Sequence, residues 1–264
     1  MDTLPNEVKK VLNDYLSVFN LELPDLLESF YLIGSLVLND YHAGKSDVDF
    51  VAVIKRDMNP RELSILGKIH KEINHKYSKT TLEGSYVTSR QLSNLNNMGP
   101  AVYFDGRQIR NDLNSGNVGI ITWFILKNYS ISVIGKSAGY YISNIDVDEL
   151  IDYVNLNVNT YWVNWTEQAS KTISIESIFI LFEQGVEWGV LGISRLYYTM
   201  HKKDVVSKYD AGEYVLKNTP ISFERIIKEA LRIRKGLDKK SYYNSPFRRK
   251  KDTLLFLHHM LNQF

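Results

Sequence analysis

Two short apolar runs constrain the fold of this chain more than any other feature. Residues 30–33 and 50–54 are rich in aromatic and β-branched side chains and are bounded by turn residues, which predicts two short buried strands. A Gly-Ser pair follows the first run directly, and an Asp-x-Asp pattern opens the second. Either motif alone would be interpreted as a turn. Two such motifs, each at a strand edge, favour a site there.

The Asp-x-Asp pattern places Asp47 and Asp49 at positions i and i+2 of the second strand. Strand side chains alternate between faces, so both carboxylates are expected on one side, about 7 Å apart along the chain. Such a pair repels, and a hard cation such as Mg²⁺, which prefers carboxylates together with phosphate oxygens, removes that penalty. Gly34 allows the backbone to approach a phosphate closely, and Ser35 and Ser46 can donate hydrogen bonds to it. These residues predict a metal and phosphate site.

A third acid is expected on a neighbouring strand. The β-rich stretch 80–88 contains Glu83 as its only acid. If its side chain points inward, Glu83 lies near Asp47 and Asp49. There it could serve as a general base or as a further metal ligand for in-line attack on an α-phosphate.

The pattern changes along the chain from mixed to mainly helical. Apolar residues at helical spacing predict helices over residues 5–28 and 59–76, the second with Pro60 at its start. Turn residues between 93 and 116 predict a loop region that could carry one more strand near 101–104. Helical periodicity then dominates over residues 119–129, 146–165, 174–201, 222–235 and 250–262.

Composition narrows the possible classes of protein. With 264 residues, 44% of them hydrophobic, the chain can form one large domain or two ordinary ones. The absence of cysteine excludes disulfides and thiolate metal sites. The net charge of +2 gives no nucleic-acid signature, and local basic clusters such as 248–251 are interpreted as solvated helix faces. No signal peptide and no membrane-spanning stretch is visible, so we expect a cytoplasmic protein.

The strand motifs match those of a known superfamily. Leu-Ile-Gly-Ser at 32–35, Ser-Asp-Val-Asp-Phe at 46–50 and Leu-Glu-Gly-Ser-Tyr-Val at 82–87 resemble the DNA-polymerase-β-like nucleotidyltransferases. Within that superfamily, the chain resembles the bacterial aminoglycoside 3″/9-adenylyltransferases, which inactivate streptomycin and spectinomycin. Val-Ile-Gly-Lys at 133–136 is similar to their short valine-glycine segment.

Motifs in the second half narrow the resemblance to the aminoglycoside enzymes. Residues 191–198 resemble the family's helical Leu-Ser-Arg-aromatic-Tyr stretch, and residues 207–220 resemble its Pro-Lys…Ala-Asp-Trp segment. Arg195 and Lys208 match positions that hold the ATP triphosphate in those enzymes. Arg234 stands where the family has a tyrosine, so contacts to adenine or ribose are expected to differ.

The resemblance implies an α+β fold with the active site in the cleft between two domains. An N-terminal nucleotidyltransferase domain, a small mixed sheet with flanking helices, is expected over residues 1–116. A C-terminal α-helical bundle domain that contacts ATP and substrate is expected over 117–264. Asp47, Asp49 and Glu83 would hold two Mg²⁺ ions, and Glu83 would also accept the proton of the attacking hydroxyl. AMP would pass from ATP to a small cationic antibiotic; no nucleic acid or membrane is an expected partner, and a monomer is expected.

Drug specificity is where the chain departs from the family pattern. Streptomycin-modifying enzymes carry a tryptophan before an Arg-Asn-Asp triplet; here the triplet is 110–112 and the matching position is Gln108. The family's acids ahead of the Leu-Ser-Arg stretch do not align, and Glu183, Glu187 and Trp188 are the available substitutes. A polycationic drug needs carboxylates and aromatic faces. Spectinomycin is therefore favoured over streptomycin, and a different hydroxylated substrate stays open.

Three alternatives follow from the same residues. An enzyme of this superfamily could instead adenylylate another small-molecule hydroxyl or a protein, and the C-terminal matches disfavour the protein acceptor. Arg195 and His201 form an Arg-x5-His spacing like that of HEPN ribonucleases, but the spacing is short and His201 also suits a helix C-terminus. A binding module with a degenerate site is disfavoured because the three carboxylates and Ser35 are intact.

Overall fold

A mixed β-sheet organises the first part of the chain. The computed structural model describes residues 4–94, 101–111, 119–142, 145–236 and 240–264. Within these residues the strands are β1 (Leu27–Leu32), β2 (Val48–Ile54), β3 (Leu82–Thr88), β4 (Val102–Phe104), β5 (Ile109–Arg110) and β6 (Ile131–Ile134). They form one sheet in the order β5-β4-β3-β2-β1-β6. Strands β2 and β3 are parallel, and all other neighbours are antiparallel.

Four helices accompany the sheet in the described part of this unit. They are α1 (Asn6–Glu22), α2 (Pro60–Lys76), α3 (Ser89–Leu92) and α4 (Ile120–Tyr129). The start of α2 confirms the prediction: the Asn59 side chain accepts from the Glu62 amide at 3.0 Å, and the Glu62 carboxylate accepts from the Asn59 amide at 2.9 Å. The prediction of one helix over 5–28 is wrong at its end. Pro24 cannot continue a helix, and the chain enters β1 at Leu27.

Both faces of the sheet are buried by different helices. On one face, Phe50 and Ala52 of β2 pack in a core with α1 and α2. On the other face, Val51 and Val53 pack with Trp123 of α4. Because side chains alternate along a strand, the odd-numbered residues of β2 all belong to this second face.

The chain divides into two compact units, Met1–Ile145 and Asp146–Phe264. This division falls later than the predicted boundary between residues 116 and 117. The physical reason is β6, which pairs antiparallel with β1 and so places the segment before it, including α4, in the first unit. Helical periodicity was predicted to dominate after residue 117, and this strand was missed.

The second unit is helical, as predicted. Its helices are α5 (Val147–Asn157), α6 (Val163–Ser170), α7 (Ile175–Phe179), α8 (Glu183–Lys202), α9 (Lys208–Asn218), α10 (Glu224–Lys235) and α11 (Pro246–Leu261), with one π-helical turn at Val158–Trp162. Helix α8 packs against α9, α10 and α11. The single helix predicted over 174–201 is interrupted between α7 and α8, where Gly185 lets the α7 backbone approach closely. No helix in the described ranges combines the length and apolarity needed to cross a membrane.

A buried carboxylate ties the C-terminal helices together. Glu229 of α10 is fully buried and accepts hydrogen bonds from Arg232 (3.0 Å), Ser241 (2.6 Å), the Tyr242 amide (3.1 Å) and Arg249 of α11 (3.2 Å). A buried charge is tolerated only when it is paired and hydrogen-bonded. Glu229 meets that condition and joins α10, α11 and the segment between them.

Candidate active site

Asp49 and Glu83 are brought together by the parallel pairing of β2 and β3. The two residues are register partners, so their Cα atoms lie side by side on neighbouring strands. Asp49 shares the face of Val51 and Val53, and Glu83 lies on the same face because the register pairs them. Both side chains are partly buried. The sheet therefore presents two adjacent carboxylates at the start of its two central strands.

The Gly-Ser pair forms a single 3-10 turn that begins directly after β1. Gly34 has φ +67°, and a Cβ at this position would lie 2.6 Å from Asp49 Cγ. A side chain there would meet both backbone strain and a collision. The amide of Ile33 donates to the Asp49 carbonyl at 3.0 Å, which fixes the turn against β2. Ser35 Oγ is buried and has no hydrogen-bond partner among the described residues, so this hydroxyl is available to a ligand.

Ser46 and Asp47 lie at the end of the loop that leads into β2. Asp47 is exposed and accepts a hydrogen bond from the Thr81 hydroxyl, which lies just before β3. Ser46 is buried, and its hydroxyl accepts from the His42 amide at 3.1 Å. The lone hydrogen of the Ser46 hydroxyl can still be donated to a ligand. Thr81 was not identified from the sequence, because only its position opposite Asp47 gives it a role.

Two residues that were not identified from the sequence, Tyr103 and Asp105, accompany Glu83. The hydroxyl of Tyr103 on β4 donates to Glu83 Oε1, and Asp105 lies close enough to act on its charge. Burial raises the pKa of Glu83, the Tyr103 hydrogen bond lowers it, and the charges of Asp47 and Asp105 raise it further. Burial and the bond to Glu83 also raise the pKa of Tyr103. The predicted strand near 101–104 contained the signal, since Tyr103 alternates with two buried apolar residues.

The donor set suits a hard divalent cation, although the side chains do not converge on one point. Three carboxylates with a neighbouring serine hydroxyl are oxygen ligands of the kind that Mg²⁺ takes together with phosphate oxygens. In the described part of the chain, no group of three acidic or histidine side chains is arranged tightly enough to hold a metal ion. Asp47 is engaged with Thr81 and Glu83 with Tyr103. The residues fit the metal by their chemistry and by the strand register. The side chains of Asp47 and Glu83 are oriented towards their hydrogen-bond donors.

The second unit gathers the predicted phosphate-binding residues around α8. Lys208 is the first residue of α9, and its Nζ lies 3.6 Å from Glu187 Oε1 on α8. Arg234 of α10 lies 3.3 Å from the same carboxylate oxygen. Arg195 lies on α8 and acts electrostatically on Lys208. Burial lowers the pKa of Lys208; Glu187 opposes this, and Arg234 and Arg195 add to it.

Aromatic side chains lie beside Lys208 in the second unit. Trp188 is 41% exposed, and its ring stacks on that of Trp162 with centroids 6.4 Å apart. Lys208 Nζ lies 5.7 Å from the Trp188 ring centroid. Tyr161, also exposed, belongs to the π-helical turn, a rare conformation that often occurs at functional sites. Neither Tyr161 nor Trp162 was identified from the sequence, because a π-helical turn leaves no periodic pattern.

The remaining predicted residues have simpler surroundings. Gln108 is exposed in the β4–β5 turn, where its main-chain N–H donates to Asp105 Oδ1 at 2.9 Å. Asp112, the last residue of the 110–112 triplet, lies outside the described residues. Glu183 pairs with Arg232. The ring of His201 hydrogen-bonds the Tyr197 carbonyl of its own helix at 2.9 Å, a local capping contact that gives no support to a ribonuclease.

The chain is similar to known proteins in one segment of its sequence and in its fold. Residues 174–262 match the family model described as aminoglycoside adenylyltransferase, C-terminal domain. No curated protein matches the chain by sequence. The spectinomycin adenyltransferase AAD(9) from Enterococcus faecialis, solved with ATP and spectinomycin, superposes with a TM-score of 0.69 at 15% identity, over 97% of this chain and 98% of that one. A toxin-antitoxin structure with AMP-PNP has a TM-score of 0.31 at 12% identity, over 59% of this chain and 92% of that one.

The comparisons support the predicted fold and assign one segment of the second unit. The α+β N-terminal unit and the helical C-terminal unit agree with the fold of the spectinomycin adenyltransferase, as predicted. Residues 174–262 match the aminoglycoside adenylyltransferase C-terminal domain. This match includes the Leu-Ser-Arg stretch, so the resemblance seen there is confirmed.

Proposed function

We propose that this protein transfers AMP from ATP to a hydroxyl of an aminocyclitol antibiotic, with spectinomycin as the preferred acceptor, in a Mg²⁺-dependent reaction. The observation that carries this proposal is the register of Asp49 against Glu83, with Gly34 packed on Asp49. It supplies two carboxylates beside a backbone turn that has no room for a side chain. The match of residues 174–262 to the aminoglycoside adenylyltransferase domain supports the choice of acceptor class.

The carboxylates of the first unit are the proposed ligands of Mg²⁺. Asp47 and Asp49, with Glu83, would hold the Mg²⁺ ions. When bound, these ions would supply positive charge to the ATP phosphates and to the leaving pyrophosphate. Asp49 is held by the Gly34 turn, and Asp47 by Thr81, so both ligands are preplaced on the loop and strand that carry them.

Glu83 is the proposed general base. Its carboxylate takes the proton of the acceptor hydroxyl, whose oxygen forms a bond to the α-phosphorus while the bond to pyrophosphate breaks. Burial favours its protonated form and thus makes the carboxylate a better proton acceptor, while the Tyr103 hydroxyl orients it. Ser35 and Ser46 would donate hydrogen bonds to phosphate oxygens; the buried Ser35 hydroxyl has no partner in the part of the chain that the structure describes.

Cations of the second unit would bind the triphosphate. Arg195 and Lys208 occupy the positions that the family resemblance assigns to this task. Guanidinium and ammonium groups stabilise the charge that develops on pyrophosphate in the transition state. The partial burial of Lys208 strengthens its interaction with an anion, because water screens it less.

The preference for spectinomycin rests on the residues that replace those of the streptomycin-modifying enzymes in this chain. Gln108 stands where a tryptophan would be needed, and it lies in an exposed turn beside Asp105, so it can offer an amide but no stacking surface. Trp188 offers an exposed ring to a small fused-ring acceptor. We place the reaction in the cytoplasm, where ATP is available, which agrees with a chain that lacks cysteine.

Mass spectrometry of the drugs tests the proposal directly. Spectinomycin and streptomycin are incubated separately with the protein, ATP and Mg²⁺, and Asp49→Asn serves as the control. We expect a gain of one AMP on spectinomycin and none with the variant. AMP on streptomycin as well would contradict the role given to Gln108. No drug adduct, with AMP found on a protein or another cell-extract component, would overturn the acceptor assignment while retaining the chemistry.

A further inference from the structure

Glu187 is held between two cations of neighbouring helices. Its Oε1 lies 3.6 Å from Lys208 Nζ and 3.3 Å from Arg234 Nη1. The side chains of Glu187, Lys208 and Arg234 are 18%, 27% and 15% exposed, respectively. Water therefore screens these charges weakly, and the carboxylate is already committed to the protein's own cations. A drug ammonium group approaching Glu187 would also meet Lys208 and Arg234, which repel it.

Several cations lie close together in this cluster. Besides the Glu187 carboxylate, the guanidinium groups of Arg234 and Arg195 act on the charge of Lys208. Arg234 and Arg195 each disfavour the charged form of Lys208, so the cations are close enough to repel one another. An arrangement of this kind is relieved by a multivalent anion that contacts several cations at once.

Glu187 and a phosphate group would compete for the same two cations. Both present anionic oxygens, and both would lie between the Lys208 ammonium and the Arg234 guanidinium. Arg234 can contact a phosphate with two parallel N–H donors, whereas the tyrosine found in the related enzymes offers one hydroxyl. The departure from the family pattern at this position therefore adds a phosphate donor to this chain.

We propose that Arg234 is a further phosphate-binding residue and that Glu187 is an internal carboxylate that occupies the Lys208–Arg234 position until a polyphosphate displaces it. This inference rests on the proposed use of ATP, but not on the identity of the acceptor. It assigns Glu187 to control of nucleotide binding, and it leaves the recognition of drug cations to other carboxylates.

Binding of inorganic tripolyphosphate to the whole protein tests this inference. Isothermal titration calorimetry in buffer with EDTA excludes divalent metal and thus any contribution from Asp47 and Asp49. Arg234→Gln should weaken binding about tenfold, the effect expected for one charge-assisted contact. Arg234→Lys should recover part of that loss. Glu187→Gln should tighten binding by about threefold or more, because the competing anion is gone. Lys228→Gln, which removes an exposed cation of the same helix α10, should have little effect.

Each other result overturns the inference. Equal affinities for Arg234→Gln and Lys228→Gln would remove Arg234 from the site. Weaker binding by Glu187→Gln would mean that the carboxylate positions the cations and does not compete for them. No binding of tripolyphosphate by the unaltered protein would exclude the site altogether. Failure of the proposed function is separate, since a protein with the expected binding pattern that modifies no drug would retain this site and lose only the acceptor.

Discussion

Gly34 and Asp49 fit together without room for a side chain between them. The Gly34 backbone has φ +67°, and a Cβ on it would lie 2.6 Å from Asp49 Cγ. The turn after β1 therefore determines where the Asp49 carboxylate can point. This relationship links the Gly-Ser motif to the Asp-x-Asp motif in space, although 14 residues lie between the two positions in the sequence.

Replacing Gly34 with alanine should abolish most activity. The new methyl group would push the Asp49 carboxylate away, and misplacement by about 1 Å at a reacting centre costs on the order of a hundredfold in rate. Gly44→Ala is the matched control, because Gly44 also has a positive φ of +75° but no described residue lies within 4 Å of the position of a Cβ. Both variants should lose about 1–2 kcal/mol of stability from backbone strain. Equal activity of the two variants would contradict the role of the contact with Asp49.

Replacing Glu83 with glutamine should remove catalysis and retain ATP binding. The amide keeps the size of the side chain and can still contact Tyr103, but it cannot accept a proton from the acceptor hydroxyl. Loss of a general base costs about 10²–10⁴-fold in turnover. ATP affinity is measured by calorimetry, with the exposed Glu22→Gln as the control. If Glu83→Gln loses ATP binding as well, Glu83 acts chiefly as a metal ligand.

Stability of the first unit should fall as the pH drops below about 6.5, because of His70. This side chain lies buried in the core, stacks on Phe104 and hydrogen-bonds the Tyr86 hydroxyl at 2.6 Å. Burial lowers its pKa to about 3, from 6.5 when unfolded. Between these values the unfolded chain binds a proton that the folded chain does not, so unfolding becomes easier by up to about 1.4 kcal/mol per pH unit.

Urea unfolding between pH 7.5 and 4.5 measures this effect. His70→Phe should flatten the dependence on pH, because it removes the titrating group and retains an aromatic ring. The exposed His75→Gln should leave the dependence as it is. An unchanged slope in His70→Phe would assign the pH dependence to other residues.

Replacing Glu229 with glutamine should destabilise the second unit strongly. Burial alone would raise the pKa of Glu229, but hydrogen bonds from Arg232, Ser241 and the Tyr242 amide outweigh it and lower the pKa to about 2. Loss of the charge would leave Arg232 and Arg249 without their buried partner, at a cost of about 3–5 kcal/mol. Thermal unfolding compares this variant with Glu224→Gln, which removes an exposed pair with Lys228 and should cost less than about 1 kcal/mol.

The Glu229 carboxylate also makes the stability of the second unit depend on pH in the acid range. Its folded-state pKa lies below its unfolded value, so the stabilisation is complete above about pH 4.5 and is lost as the pH falls towards 2. Glu229→Gln should lack this component. An acid transition of equal steepness in the variant would assign the limit to other carboxylates.

Local patterns predicted those elements whose signals are contained in adjacent residues. The apolar run of β2 and the Asn59 cap with Pro60 each define an element boundary through local sterics and hydrogen bonds. Strand β6 was missed because its four residues acquire their strand character only by pairing with β1. The end of α1 was placed too late because helical periodicity was followed past Pro24.

The sequence by itself determined the residue types of the site, the α+β class and the resemblance to aminoglycoside adenylyltransferases. The residue types follow from the motifs, the resemblance follows from the identity of the motif residues, and the fold class follows from periodicity together with that resemblance. All of these signals are contained in neighbouring residues. Only the tertiary structure decided that Asp49 and Glu83 are register partners, that Tyr103 contacts Glu83, and that Glu187 lies between Lys208 and Arg234. Contacts of this kind depend on strand register and helix packing, which join residues far apart in the chain and leave no local pattern.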